Sequence, residues 1–189
     1  MDESRTGGIG RIIRTYVDIV LFRSGPEDLP ASQALLIITI AANVFLDFAA
    51  STALPMPGDT NQLIVAVVQV AFVLAWYWAL LRLAGKPERF LQTATAGFGI
   101  QLVLGPLLVL VALAAPEPLA GAQTPGWIAL PLVVLGVWVL AVGSRIVRAA
   151  TQWPMAICVA ATLLQAVLGR LLIFGLFPEV AGGAAATTV

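Results

Sequence analysis

The residues of this sequence best suited to chemistry are one acid, one base and four side-chain amides within long apolar stretches. The acid is Asp47 and the base is Arg170, and the amides are Asn43, Gln69, Gln101 and Gln165. An ionisable side chain in an apolar stretch is costly to bury, so each is a functional candidate. Together the six side chains could form a polar site for a small molecule or an ion.

Asp47 and Arg170 have opposite charges and lie at similar distances from the ends of their stretches. Asp47 precedes Ala53 by six residues, and Arg170 precedes Phe177 by seven. In a helix, at ~1.5 Å per residue, both side chains lie roughly 9–10 Å from the end. The simplest hypothesis is an ion pair between them. The alternative is that Arg170 extends towards lipid headgroups while Asp47 is protonated or faces water.

Small and polar residues recur every three or four positions, which places them on single helix faces. The series are Thr39-Asn43-Asp47-Ser51, Thr93-Gly97-Gln101-Gly105 and Cys158-Thr162-Gln165-Gly169, with Gln62, Ala66 and Gln69 in a fourth stretch. Such faces favour close helix packing with hydrogen bonds between helices. The alternative is a polar cavity or conduit lined by the six side chains named first.

The elements that must position these residues are predicted to be transmembrane helices. The chain has 189 residues, of which 60% are hydrophobic and 11% are charged, and its mean hydropathy is +0.97. Soluble domains are about 45–50% apolar and about 25% charged. This composition excludes an ordinary soluble enzyme, a disordered chain and a nucleic-acid-binding protein.

Five stretches are long enough to cross a hydrocarbon core of ~30 Å as helices. They are residues 34–53, 62–85, 91–115, 127–149 and 153–177. The predicted fold is therefore all-α, a polytopic membrane helix bundle with five transmembrane helices and short loops. Residues 1–33 form a segment on one side, and residues 178–189 form a tail that is expected to be flexible.

The basic residues predict the orientation in the membrane. Nine of the ten lie in segments that share one side of a five-span protein: Arg5, Arg11, Arg14, Arg23, Arg82, Lys86, Arg89, Arg145 and Arg148. The opposite side carries Asp59, Glu117 and Glu179. The positive-inside rule therefore predicts a cytoplasmic N-terminus and an outside C-terminus. An excess of Arg, Ala and Gly indicates a bacterial protein, so that the expected location is the inner membrane.

A rim of basic side chains is expected on the cytoplasmic side. It consists of Arg82, Lys86, Arg89, Arg145 and Arg148. Clusters of this kind can hold phospholipid headgroups. The positive-inside rule alone also produces such a rim.

Residues 9–22 are predicted to form an amphipathic helix. Ile9, Ile12, Ile13, Tyr16, Val17 and Val20 fall on one face, and Arg11, Arg14, Thr15 and Asp18 fall on the other. A helix of this kind lies in the headgroup region of a bilayer. The alternative is a cytoplasmic helix that packs on the inner face of the bundle.

The sequence offers little material for catalysis. It has no His and one Cys, Cys158, which excludes His-dependent dyads, His metal ligands and disulfides within the chain. Asp47 is the only carboxylate deep within a span, whereas aspartyl proteases need two. We expect no enzyme activity, no metal and no other cofactor.

The architecture resembles the YIP (Ypt-interacting protein) family and its bacterial five-span relatives. The resemblance covers residues from about Ile9 to Phe177, and it includes the approach to the first span from Phe22 to Pro30. It implies a non-enzymatic scaffold, assembly or membrane-organising protein whose partners are the lipid bilayer and a membrane protein or a second copy. The alternatives are a small transporter or channel that uses Asp47 and Arg170, and a lipid-binding protein that uses the basic rim.

Overall fold

The computed structural model describes residues 3–53, 61–114 and 126–178, and within them the chain is helical with no strand. The six helices are α1 (Glu3–Val20), α2 (Gln33–Ala53), α3 (Gln62–Leu83), α4 (Phe90–Leu113), α5 (Gly126–Thr151) and α6 (Met155–Leu176). Single tight helical turns at Pro26–Asp28 and Pro87–Arg89 precede α2 and α4. The predicted all-α class is confirmed.

Five of these helices, α2 to α6, are long and apolar enough to cross a membrane. Their ends lie within two residues of the predicted bounds. The expected loop residues 54–60 and 116–125 lie outside the described residues. So does the expected flexible tail, 178–189, apart from Pro178.

Local chemistry explains several of the helix ends. The side-chain oxygen of Asn61 accepts a hydrogen bond from the backbone N–H of Leu63 at 3.0 Å, which caps the start of α3. After α3 the chain turns through Gly85, whose φ is +68°, a conformation that glycine adopts without steric penalty. Gln152 has φ +63°, and together with Pro154 it makes the tight turn between α5 and α6.

Helix α4 is the centre of the bundle, in contact with α1, α2, α3 and α5. Every residue from 93 to 100 is buried. Two glycines in this segment let aromatic rings approach the backbone closely. A Cβ at Gly97 would lie 2.6 Å from the hydroxyl oxygen of Tyr77, and a Cβ at Gly99 would overlap the ring of Tyr16.

Helix α1 is amphipathic and packs on the bundle, chiefly against α4. Tyr16, Ile19 and Val20 are buried in a cluster with residues of α4 and α5. Ile13 and Val17 remain exposed on another side of the helix, so the apolar residues are divided between the bundle and the outside. The side chain of Ile9 is not among those described.

The end of α1 differs from the predicted end at residue 22. The helix stops at Val20 because Phe22 adopts φ +63°. Its ring then lies 5.4 Å from the ring of Trp138, centroid to centroid. The indole N–H of Trp138 donates to the carbonyl of Val20 at 3.0 Å. These contacts join the N-terminal helix to the middle of α5.

Candidate functional site

A cavity of about 410 Å³ lies between helices α2 to α6. Its polar lining consists of Asn43 and Asp47 from α2, Gln69 and Tyr77 from α3, Gln101 from α4, and Thr162 and Gln165 from α6. Small residues widen it, among them Ala66, Gly97, Gly143 and Ala166. Five of the six side chains that the sequence selected as a polar cluster therefore line one space. They reach it from four helices.

Asp47 supplies the charge of this cavity. Among the described lining residues it is the only ionisable one apart from the phenol of Tyr77. Its side chain is exposed, whereas Asn43 one turn earlier on α2 is buried. No basic residue is among the described residues that line the cavity. An ionised Asp47 therefore makes the cavity electronegative, which favours a cation.

Asn43 joins two of the helices that line the cavity. Its amide nitrogen donates to the carbonyl of Phe98 on α4 at 2.7 Å and to the carbonyl of Thr39 on its own helix at 3.2 Å. These bonds satisfy both N–H groups of the amide. Asn43 therefore fixes α2 against α4 with its donors already used.

Tyr77 of α3 and Gln165 of α6 also line the cavity. Tyr77 is buried, and its hydroxyl lies close to the side chain of Gln165. The ring of Tyr77 packs against Gly97, and the ring of Phe98 lines the space as well. The cavity thus combines a carboxylate, amides and two aromatic rings.

The expected ion pair between Asp47 and Arg170 is wrong. Helix α2 packs on α3 and α4, whereas α6 packs on α3 and α5, so the two charges belong to helices without extensive contact. Arg170 is exposed, and its guanidinium lies over the ring of Phe174 at 5.4 Å from the centroid. Although Asp47 and Arg170 lie at equal depth along their helices, their side chains do not face each other. Arg170 is not among the residues that line the cavity.

The five residues of the expected basic rim do not form one site. The guanidinium of Arg89 donates to the carbonyl oxygens of Ala149 and Ala150 at 2.7 and 3.5 Å. It therefore caps the C-terminal end of α5, where unpaired carbonyls attract a cation. Arg82 lies over the ring of Trp78, 4.9 Å from its centroid.

Arg145 and Arg148 do come together. They line an open cleft with Gln152. Arg145 also donates to the carbonyl of Phe22 at 3.3 Å and lies over its ring. Lys86 does not line this cleft.

Sequence reasoning missed Tyr77 and Phe98 as cavity residues. Tyr77 lies eight positions after Gln69, so the two share a face of α3. That spacing could have identified Tyr77 as a cavity residue. However, an aromatic residue in an apolar helix is not distinguishable by its type from a residue that only packs. Phe98 was hidden for the same reason, because neither its type nor its spacing differs from those of a packing residue.

Comparison of the chain with protein families, with curated proteins and with solved structures gives no match. The resemblance to the YIP family therefore stays a prediction based on architecture.

Proposed function

We propose that this chain is a multi-pass protein of the bacterial inner membrane, with its N-terminus in the cytoplasm. Five helices of sufficient length and hydropathy support the membrane location. The basic residues that lie between these helices or before them support the orientation.

We further propose that the protein binds a small organic cation in the cavity between α2 and α6 and carries it across the membrane. The observation behind this proposal is the gathering of Asp47 and four amides around one space. A dry bundle has no need of such a gathering, because an unpaired polar group is costly in an apolar interior.

The size and the lining of the cavity favour an organic cation over a bare metal ion. About 410 Å³ is within the range of pockets for small organic ligands, ~300–1,000 Å³. The rings of Tyr77 and Phe98 can face a positively charged ammonium group, which aromatic faces attract. Asp47 balances the charge, and Gln69, Gln101 and Gln165 supply hydrogen bonds.

This function corresponds to the transporter alternative from the sequence, with Arg170 removed from the site. The scaffold or assembly function, its protein partner and the absence of enzyme activity stay predictions. A scaffold requires a stable partner, which a pull-down in mild detergent would detect. It does not account for an electronegative cavity.

The test is uptake and binding of tetraethylammonium by the purified protein. Liposomes with the wild-type chain should accumulate the labelled cation under an inward gradient faster than empty liposomes. Asp47→Asn should lower binding at least about tenfold, because it removes the only acidic side chain in the described lining. Asp47→Glu should retain part of the binding.

Arg170→Gln is the matched control. It also removes one charge from a helix that could span the membrane, but from outside the cavity. Its binding should equal that of the wild type. Equal losses for Asp47→Asn and Arg170→Gln, or no binding by the wild type, would contradict the proposed function.

A second candidate function rests on the cleft of Arg145 and Arg148. Two guanidinium groups and the amide of Gln152 can hold the phosphate of an anionic headgroup. Arg148→Gln should then reduce co-purification of phosphatidylglycerol, while tetraethylammonium binding stays unchanged. If neither property changes, this second function is wrong.

A further inference from the structure

We infer that the cation bound by this protein is amphiphilic, with its charged head in the cavity and an alkyl chain in a groove between α2 and α3. This inference rests on the proposed function and specifies its substrate class. The two spaces adjoin at Asp47 and Ala66, which line both of them.

The groove has about the same volume as the cavity, roughly 430 Å³. Its lining is mostly apolar and comes from Ala41, Val44, Phe45 and Phe48 of α2 and from Leu63 of α3, with Gln62 as an amide. Phe45, Phe48 and Leu63 are 73%, 60% and 58% exposed. Such a surface suits a hydrocarbon chain, and in a bilayer it faces the lipid.

The position of the charged residue determines whether the head of an amphiphile lies in the cavity or in the groove. In the described lining of both spaces Asp47 is the only charged side chain. The amides and the Tyr77 hydroxyl are concentrated on the cavity side of it. A cationic head at Asp47 therefore satisfies the carboxylate, and the chain buries the aromatic faces of the groove.

The same geometry disfavours the other occupants of an apolar groove. An anionic amphiphile such as a fatty acid would place its carboxylate against Asp47, and like charges at short range repel. A neutral chain would leave the carboxylate without a partner. A head without a chain would leave the groove unused.

The experiment measures competition against labelled tetraethylammonium on the full chain in dodecyl maltoside. The competitors are tetramethylammonium, decyltrimethylammonium, decanol and decanoate. Decyltrimethylammonium should compete at a ~10-fold lower concentration than tetramethylammonium, the gain expected when about two methylene groups are buried. Decanol and decanoate should compete at least about tenfold more weakly than decyltrimethylammonium.

Two variants test whether the alkyl chain lies in the groove. Ala41→Phe fills the groove and should reduce the ratio between the two ammonium competitors below about threefold. Ala71→Phe is the matched control, because Ala71 is exposed on α3 away from both spaces. Ala71→Phe should keep the wild-type ratio. Because partition of the decyl chain into micelles is the same for both variants, this comparison also corrects for it.

The outcomes separate the two proposals. If tetraethylammonium binds but the decyl chain adds nothing, or if Ala41→Phe keeps the full ratio, the amphiphile inference is wrong and the proposed function stands. Competition by decanol equal to that by decyltrimethylammonium also overturns the inference, since the groove alone is then recognised. If the wild type does not bind tetraethylammonium, both fail.

Discussion

The side-chain amide of Asn43 donates a hydrogen bond to the backbone carbonyl of Phe98 across 2.7 Å, and this bond joins α2 to α4. Both residues line the cavity. Asn43 is only 5% exposed. The polar residue one turn before Asp47 therefore holds the helix that carries the charge, and Asp47 is left to face the cavity.

Asn43→Ala should destabilise the bundle. The substitution removes two hydrogen bonds, one of them between helices, and hydrogen bonds of this kind contribute about 0.6–2 kcal/mol in membrane proteins. We expect a lower midpoint of thermal unfolding in detergent, followed by tryptophan fluorescence.

Ser51→Ala is the control for this substitution. The hydroxyl of Ser51 bonds the carbonyl of Phe48 within the same helix, so its loss should change the midpoint little. Equal midpoints for Asn43→Ala and the wild type would show that the bond does not hold α2 in place.

The docking of α1 is expected to depend on alkaline pH through Tyr16. Thr39 gives its hydroxyl proton to the carbonyl of Leu35, so the hydroxyl of Tyr16 is the donor in its 2.8 Å bond with Thr39. Burial raises the pKa of Tyr16 above its ordinary value of 10.0. The folded state thus holds the phenolic proton more tightly than the unfolded state does.

The contribution of this proton to stability is complete below pH about 10 and falls as the pH rises through the higher pKa of the folded state. The unfolding midpoint of the wild type should therefore decrease as the pH is raised above about 10. Tyr16→Phe should decrease less over that range. Thr39→Val, which keeps the titrating phenol, should retain the decrease, and identical slopes for all three chains would refute this account.

The sequence was sufficient to predict the five apolar helices and five of the seven polar side chains that line the cavity. A helical repeat determines which residues share a face, so Asn43 and Asp47, or Gln165 and Thr162, could be grouped without a structure. The apolar composition made each polar side chain conspicuous. Helical spacing and the contrast between polar and apolar residues are both local signals, so they can be read from a single sequence.

The arrangement of the helices around one another could not be predicted in this way. Asp47 and Arg170 match in depth and charge, yet α2 and α6 face different neighbours. Arg89 was a candidate for binding lipid headgroups. Its contact with Ala149 could not be predicted because the two residues are 60 positions apart in the sequence. Which helices are neighbours depends on packing between glycines and rings, as at Gly97 and Tyr77.

Arg89→Gln should destabilise the protein more than Arg148→Gln does. Arg89 is half-buried, and its guanidinium caps the carbonyls at the end of α5. Arg148 is exposed. A hydrogen bond from a charged group contributes about 1.5–3 kcal/mol, and we expect the lower end for Arg89. The measurement is the thermal unfolding midpoint of each variant. If the two midpoints fall equally, the cap is not what Arg89 contributes.

The orientation in the membrane can be tested by introducing one additional cysteine at a time into the wild-type sequence. Cys158 has no exposed surface, so a maleimide that cannot cross the membrane should leave it unmodified. Glu88 and Pro178 are exposed and lie at opposite ends of the helices that could cross the membrane. In intact cells Pro178→Cys should react and Glu88→Cys should not, whereas both should react after the cells are opened.

The reverse pattern would place the N-terminus outside and would mean that the basic residues did not direct insertion. It would also reverse the side of the cavity. Asp47 lies in the C-terminal half of α2, on the side of Pro178, so in the proposed orientation it lies nearer the outer side of the membrane. Labelling therefore decides from which face uptake of tetraethylammonium has to be measured.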